Sequence, residues 1–217
     1  MRTIVYVDGF NLYYRALKGT GHKWLDLRKL CSLVLPKHCD VTAINFYTAR
    51  ISGKINPTSP RDQHLYLKAL ATLPGLTTHL GSFQVKDKMM FLSNPLSFQP
   101  QNRVAPIPLP RFANVVKSEE KGSDVNLGVH LVRDALMGRF DHAVVITNDT
   151  DLAEPLRIVV QDAKLPLTLL SPVAKPAQSL RELATHVRYL QGHLGGAQFP
   201  DPVLDQNGVE IRKPAGW

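Results

Sequence analysis

A chain of 217 residues is long enough for one domain with embellishments and a core of its own. Its 44% apolar content is that of a globular protein, not a disordered one, and its formal charge of +8 admits a polyanionic partner such as nucleic acid. Cys31 and Cys39 match no zinc spacing and build no disulfide framework, and no apolar stretch nears the roughly eighteen residues of a membrane span, so a cytoplasmic protein without a membrane partner is expected.

The N-terminus enters a strand directly, with no charged-then-apolar leader. Residues 3–7 are short, continuous and β-rich, the pattern of a fully buried strand. A helix over 10–18, ended by Gly19, and another over 25–35, stopped by Pro36, follow. Residues 41–48 read as a strand, 59–73 as a helix opened by Ser59-Pro60, and 76–80 as a third strand. Residues 82–118 are less regular and hold Pro95, Pro100, Pro106, Pro108 and Pro110; they read as an inserted hairpin or flap. Then come a helix over 123–137, a buried strand over 143–147, a helix over 151–163, a last core strand over 166–170 and a helix over 177–185. From 191 to 217 Gly, Pro and polar residues dominate, so that tail is expected to be mobile or loosely docked on a domain of residues 1–190. Strands alternating with helices predict an α/β fold whose parallel sheet is covered on both faces.

Acidic residues sit where such a sheet brings them together. Asp8 ends the run Ile4-Val5-Tyr6-Val7, and Asp149 and Asp151 follow Ala143-Val144-Val145-Ile146-Thr147. Ligands bind beyond the carboxyl ends of parallel strands. Carboxylates gathered there repel one another unless a cation is present, and hard oxygen ligands suit Mg²⁺ or Mn²⁺. On the helix from Asp124, residues Val125, Leu127, Gly128, Val129, Leu131, Val132, Ala135 and Leu136 are placed on one apolar arc. Asn126, His130, Arg133 and Asp134 are placed opposite, His130 as a surface residue that Asp134 pairs with. Asp124 falls within the apolar arc, as a helix-dipole partner or as a ligand. The segment Thr147-Asn148-Asp149-Thr150-Asp151 is either a turn with an N-cap or a place where hydroxyls and amides meet a phosphate.

Val-Asp-Gly-Phe-Asn (7–11), Lys-Gly-Ser-Asp-Val-Asn-Leu (121–127) and Val-Ile-Thr-Asn-Asp-Thr-Asp-Leu (145–152) resemble, in order and spacing, the signature blocks of NYN domains of the PIN-like nuclease superfamily. The resemblance implies a PIN-like α/β/α fold and a metal-dependent endoribonuclease acting on single-stranded RNA. Asp8, Asp124, Asp149 and Asp151 match the family's acidic positions, which hold Mg²⁺ or Mn²⁺ and yield a metal-activated water. Asn11 and Asn148 match its polar positions, and the products implied are a 5′-phosphate and a 3′-hydroxyl.

Many PIN nucleases carry a further acidic ligand on a middle helix. Asp62 lies too near the start of its helix to be assigned, and Glu119 and Glu120 are read as solvated charges that could also supply it. Lys86, Lys88, Arg103, Arg111, Lys117 and Lys121, with Phe83, Phe91, Phe98 and Phe112, flank or lie within the insertion. Of these, Lys86, Lys88, Arg111 and Lys121 are expected to bind substrate with Asn11, Thr147 and Asn148, since cations track a backbone and aromatic rings stack on bases. The equal alternative is a hairpin whose phenylalanines pack on the domain or support a homodimer. A non-catalytic RNA-binding or scaffold module on the same fold is the main rival. A haloacid dehalogenase-type phosphatase is disfavoured, because Phe10 stands where its second Asp belongs.

Overall fold

The run from Thr3 to Val7 lies in β1 (Arg2–Asp8), buried from Thr3 onward on both sides, as a helix-covered parallel sheet requires. The computed structural model describes residues 1–53, 57–93, 97 and 110–217. After β1 come α1 (Gly9–Leu12), extended by a π-turn over Tyr13–Leu17, α2 (Leu27–Val34), β2 (Asp40–Ala49), α3 (Ser59–Leu70), β3 (Leu76–Phe91) and β4 (Phe112–Lys121). Then follow α4 (Ser123–Leu136), β5 (His142–Ile146), α5 (Ala153–Arg157), β6 (Leu167–Ser171), α6 (Gln178–Leu183) and β7 (His186–Tyr189). A small hairpin of β8 (Val203–Leu204) and β9 (Glu210–Ile211) comes last.

The main sheet runs β4-β3-β2-β1-β5-β6-β7, parallel throughout except for the β3–β4 pair. Strand order reverses beside β1, which has β2 on one edge and β5 on the other. The crevice beyond the carboxyl ends of β1 and β5 is therefore the ligand position of this topology. Val5 and Val7 enter one core, with Leu30 of α2 and Leu70 of α3. Ile4 and Tyr6 enter the other, with Leu127 and Leu131 of α4 and Leu156 of α5. The fold is the expected three-layer α/β/α arrangement. Among the described residues no helix is long and apolar enough to cross a membrane.

The structure departs from the sequence reading at four places. The insertion is the expected hairpin, but regular rather than irregular where it is described: β3 runs on to Phe91 and pairs with β4 from Ser82–Lys121 to Phe91–Phe112. Its sequence alternates well enough to pair, and its two paired arms contain no proline that would remove a ladder donor. Pro95, Pro100, Pro106, Pro108, Phe98 and Arg103 lie outside the described residues. Strand 167–171 is not the last, because β7 pairs beyond it. The segment after Gly192, expected to be loosely docked, places Leu194, Ala197, Phe199, Val203 and Ile211 in the core. It is tied down by Asp26 N to Ala197 O at 2.8 Å, Phe199 N to Trp24 O at 3.0 Å and Trp24 Nε1 to Pro200 O at 3.1 Å. A handful of well-spaced apolar residues suffices here, and Phe199 packs on Trp24 at 5.7 Å between ring centroids.

Helix α4 is the fourth departure. Its buried stripe is Ser123, Leu127, Gly128, Leu131, Asp134 and Ala135, while Val125, Val129 and Leu136 are exposed. Asp134 is inside rather than outside, since Tyr6 Oη donates to its Oδ2 at 2.9 Å from the centre of the sheet. Arg133 Nε and Arg139 Nη1 donate to its Oδ1, each at 2.9 Å. His130 does not pair with it; its Nδ1 meets Tyr47 Oη at 3.0 Å.

At the amino end of β5, between β1 and β6, His142 is buried between hydroxyls, Nε2 at 2.9 Å from Thr168 Oγ1 and Nδ1 at 3.3 Å from Thr3 Oγ1. Burial, with His186, His38 and the terminal amine nearby, pushes its pKa down from 6.5 to about 4. The unfolded chain takes up this proton near pH 6.5 and the native one only near 4. The neutral ring therefore stabilises the fold above that window, and up to about 3 kcal/mol is lost as pH falls through it. His142→Gln should thus close its stability deficit relative to wild type between these two values in urea titrations. Parallel curves for the two proteins would refute this.

Candidate active site

Asp8 ends β1 and caps α1: its Oδ1 accepts from Asn11 N at 2.9 Å. Its Oδ2 accepts from Thr147 Oγ1 at 3.0 Å, which joins the ends of β1 and β5. Thr147 Oγ1 also accepts from Asp149 N at 3.0 Å, and Asn148 N donates to Asn11 Oδ1 at 2.9 Å. Asn148 Oδ1 accepts from Ala177 N at 2.8 Å, just before α6. Thr147 is fully buried. These three polar residues, expected to touch substrate, brace the carboxylates, and Asn11 also lines the cleft that the carboxylates share.

Asp8, Asp124 and Asp149 line one cleft of about 350 Å³. Glu120, Arg15 and Tyr14 line it too. Glu120 Oε1 accepts from Ser123 N at 2.8 Å, so the end of β4 caps α4 and aims a fourth carboxylate inward. The close approach needs Gly81, where a Cβ would stand 2.7 Å from Lys121 O and 2.8 Å from Glu120 Oε1. It also needs Gly122, whose φ of 89° makes the turn into the helix. Asp151, expected in the cluster, is exposed and does not line the cleft; its backbone N donates to Asp149 Oδ1 at 3.1 Å. Glu119 pairs with Lys117 and Lys121 on the surface. Nothing in the sequence separates Glu120 from its neighbour Glu119; its role emerges only with the turn at Gly122.

Burial pushes the Asp8 carboxyl up to about 6, and the charges of Asp149 and Glu120 add to the rise against the hydrogen bonds from Asn11 and Thr147. The group is thus held in a place that disfavours its charge and gathers more of the same sign, the condition a cation relieves. The carboxylates of the cleft are hard oxygen donors, with no thiol or imidazole among the described residues that line it, which fits Mg²⁺ or Mn²⁺ in kind. Among the described residues no three Asp, Glu, His or Cys side chains stand close enough to hold an ion as they are placed.

The pleat sorts the ribbon. Lys86, Lys88, Lys117 and Lys121 share one face by register, and Phe83, Val85, Met89, Phe91, Phe112, Val116 and Glu120 share the other. Phe83 stacks on Phe10 at 6.2 Å between ring centroids, so the apolar face leads to the cleft. Lys86, Lys88 and Lys121 lie on the face turned from it, and Arg111 is exposed just before β4. Across Phe10 and Tyr14 from the acidic cleft is a second cavity, of about 260 Å³ and walled largely by aromatic rings.

Over residues 2–191 the sequence matches the family model of the NYN domain. The chain belongs to the NYN domain family. NYN domains are generally nucleases and typically bind RNA. This NYN chain is 29% identical over 220 residues to 6-hydroxy-3-succinoylpyridine 3-monooxygenase HspA of Pseudomonas putida, covering 92% of the chain and 69% of that protein. A crystal structure of a Vibrio parahaemolyticus protein of unknown function superposes with a TM-score of 0.51 at 15% identity. It covers 87% of this chain and 91% of its own, and it shares the fold.

Proposed function

We propose that this NYN domain is a divalent-metal-dependent endoribonuclease acting on single-stranded RNA. One observation carries the reading: Asp8, Asp124 and Asp149, from two strand ends and a helix start, line a single cleft where strand order reverses. Asp8, Asp124 and Asp149 would hold one or two Mg²⁺ or Mn²⁺ ions, with Glu120 drawn in beside them. When bound, such an ion offsets charge on the phosphate and lowers the pKa of a water. Arg15, at the cleft wall, offers a guanidinium to a phosphate oxygen. The Asn11–Thr147–Asn148 brace fixes the direction of the Asp8 carboxylate. Cleavage of mixed RNA and DNA oligomers with Mn²⁺ and with EDTA tests the reading; RNA left intact in Mn²⁺ would sink it and leave a binding module.

Metal-linked stability gives an independent check. A ligand that binds only the native state at a hundredfold excess over its dissociation constant adds about 2.7 kcal/mol. For a domain of this size that raises the melting temperature by roughly 5–10 °C. Asp124→Asn should stabilise the metal-free protein slightly, by relieving repulsion in the cleft, and should reduce the Mn²⁺ shift. If Asp124 serves only the helix dipole, the variant loses stability and the metal shift is unchanged.

A second reading, oxygenation of a pyridine ring as the name of the Pseudomonas putida relative states, draws support from the aromatic cavity beside the cleft. Such a reaction consumes O₂ and a two-electron donor. Oxygen uptake with a hydroxypyridine and a reduced nicotinamide checks it, and no uptake removes it.

A further inference from the structure

We propose that the cavity between α1, β2, α3 and Trp217 is a subsite for one nucleobase of the strand whose phosphate lies in the acidic cleft. The proposal rests on the nuclease reading for that phosphate. Its walls are the rings of Phe10, Tyr13, Tyr14, Phe46, Tyr66 and Trp217. Tyr66 and Trp217 stand 5.8 Å apart between centroids at 56°, and Phe46 meets Tyr66 edge-on at 6.3 Å. These rings hold one another at angles that leave about 260 Å³ open rather than collapsing onto each other. That volume suits one ring system and falls below the roughly 300 Å³ at which drug-sized pockets begin.

The polar groups suit the edge of a base. Lys23 lines the cavity with its Nζ 5.7 Å from the Trp217 ring centroid, and Asp62 lines it from α3. An ammonium donates to a ring carbonyl, and a carboxylate accepts from a ring N–H or exocyclic amine. Gln63 is not available, since its amide already bonds Ala49 O and Ile51 N. Aromatic faces take any base, because every base has a π-face.

Position decides the occupant. Phe10 and Tyr14 line this cavity and the acidic cleft alike. They stack at 6.4 Å between centroids and form the partition between the two. A nucleotide that lays its phosphate beside Asp8 and Asp149 has its base one wall away. A free heterocycle shares the ring chemistry but has no phosphate to place in the cleft.

Calorimetric titration of the full chain with uridine, adenosine, uridine 5′-monophosphate and 2-pyridone, each with and without Mg²⁺, tests this. Both nucleosides should bind without metal, and Mg²⁺ should tighten only the monophosphate, by about threefold or more. Leu67→Phe, which fills the cavity from α3, and Trp217→Ala, which removes a wall, should each weaken nucleoside binding about fivefold or more. Binding of 2-pyridone with neither nucleoside would overturn the assignment in favour of a free heterocycle. No binding of any ring, or nucleoside binding that both variants leave intact, would overturn it outright. RNA cleavage without nucleoside binding would overturn the subsite alone. Nucleoside binding without RNA cleavage in Mn²⁺ would uphold the subsite and sink the nuclease reading.

Discussion

On the proposed nuclease reading, Asp149→Asn should lower Mn²⁺-dependent RNA cleavage by at least about a hundredfold, since even changes one shell out from a metal cost roughly ten- to a hundredfold. The amide keeps an oxygen that can accept from Asp151 N, as Asp149 Oδ1 does at 3.1 Å, and Asn caps a helix as well as Asp does. The fold should therefore survive, with a melting temperature close to wild type. What is lost is the negative charge in the cleft, and a neutral amide is a poor ligand for a hard cation. Asp151→Asn is the internal comparison. Its side chain is exposed and outside the cleft, so its effect on cleavage should be small. Full activity in Asp149→Asn, or equal losses in the two variants, would show that the cleft is not where the chemistry occurs.

Asp134→Ala should destabilise the protein by about 2–4 kcal/mol, because it leaves the buried Tyr6 hydroxyl unsatisfied and removes the shared partner of the half-exposed Arg133 and Arg139. Asp134 is only 4% exposed, and it accepts from Tyr6 Oη, Arg133 and Arg139. Without the carboxylate, the Tyr6 hydroxyl has no partner at the centre of the sheet and two guanidiniums face each other. Roughly 2–4 °C of melting temperature per kcal/mol applies to a domain of this size, so the midpoint should fall by about 10 °C. Tyr6→Phe removes one hydrogen bond but leaves the carboxylate with both arginines, and should cost only about 1 kcal/mol. Similar losses in the two variants would mean that the charge is not what matters at this position.

Much of the frame is legible because burial on both faces of a parallel sheet leaves a plain mark. The runs ending at Asp8 and before Asp149 are short, apolar and followed by turn residues, and they became the two strands that flank the crevice. What escaped is whatever a distant partner decides. On α4, helical periodicity alone could not tell which polar residue turns inward; a hydroxyl on Tyr6 of the central strand made it Asp134. That in turn left Val125, Val129 and Leu136 outside. Glu120 reads as a surface charge until the turn at Gly122 swings the end of β4 over Ser123. Thr147 reads as a hydroxyl facing a ligand until its burial shows that it holds Asp8 and the Asp149 backbone instead. The aromatic cavity has no linear signature, since its walls come from residues as far apart as Phe10 and Trp217.

The pairing of β1 with β2 on one edge and β5 on the other also joins a near contact in the chain to a distant one. β1 and β2 are near neighbours in the chain and can zip together early. The other edge is covered only when a strand from the far side of the ribbon and α4 docks, and Asp8 and Thr147 are 139 positions apart. Until then Ile4-Val5-Tyr6-Val7 presents an open, apolar edge of the kind that mispairs with other chains. The step that closes this edge is the same one that brings Thr147 to Asp8 and the Asn148 amide to Asn11. A molecule with an incomplete site is therefore also one with an unprotected central strand, so loss of the cleft and risk of aggregation arise together in any variant that slows the docking of β5.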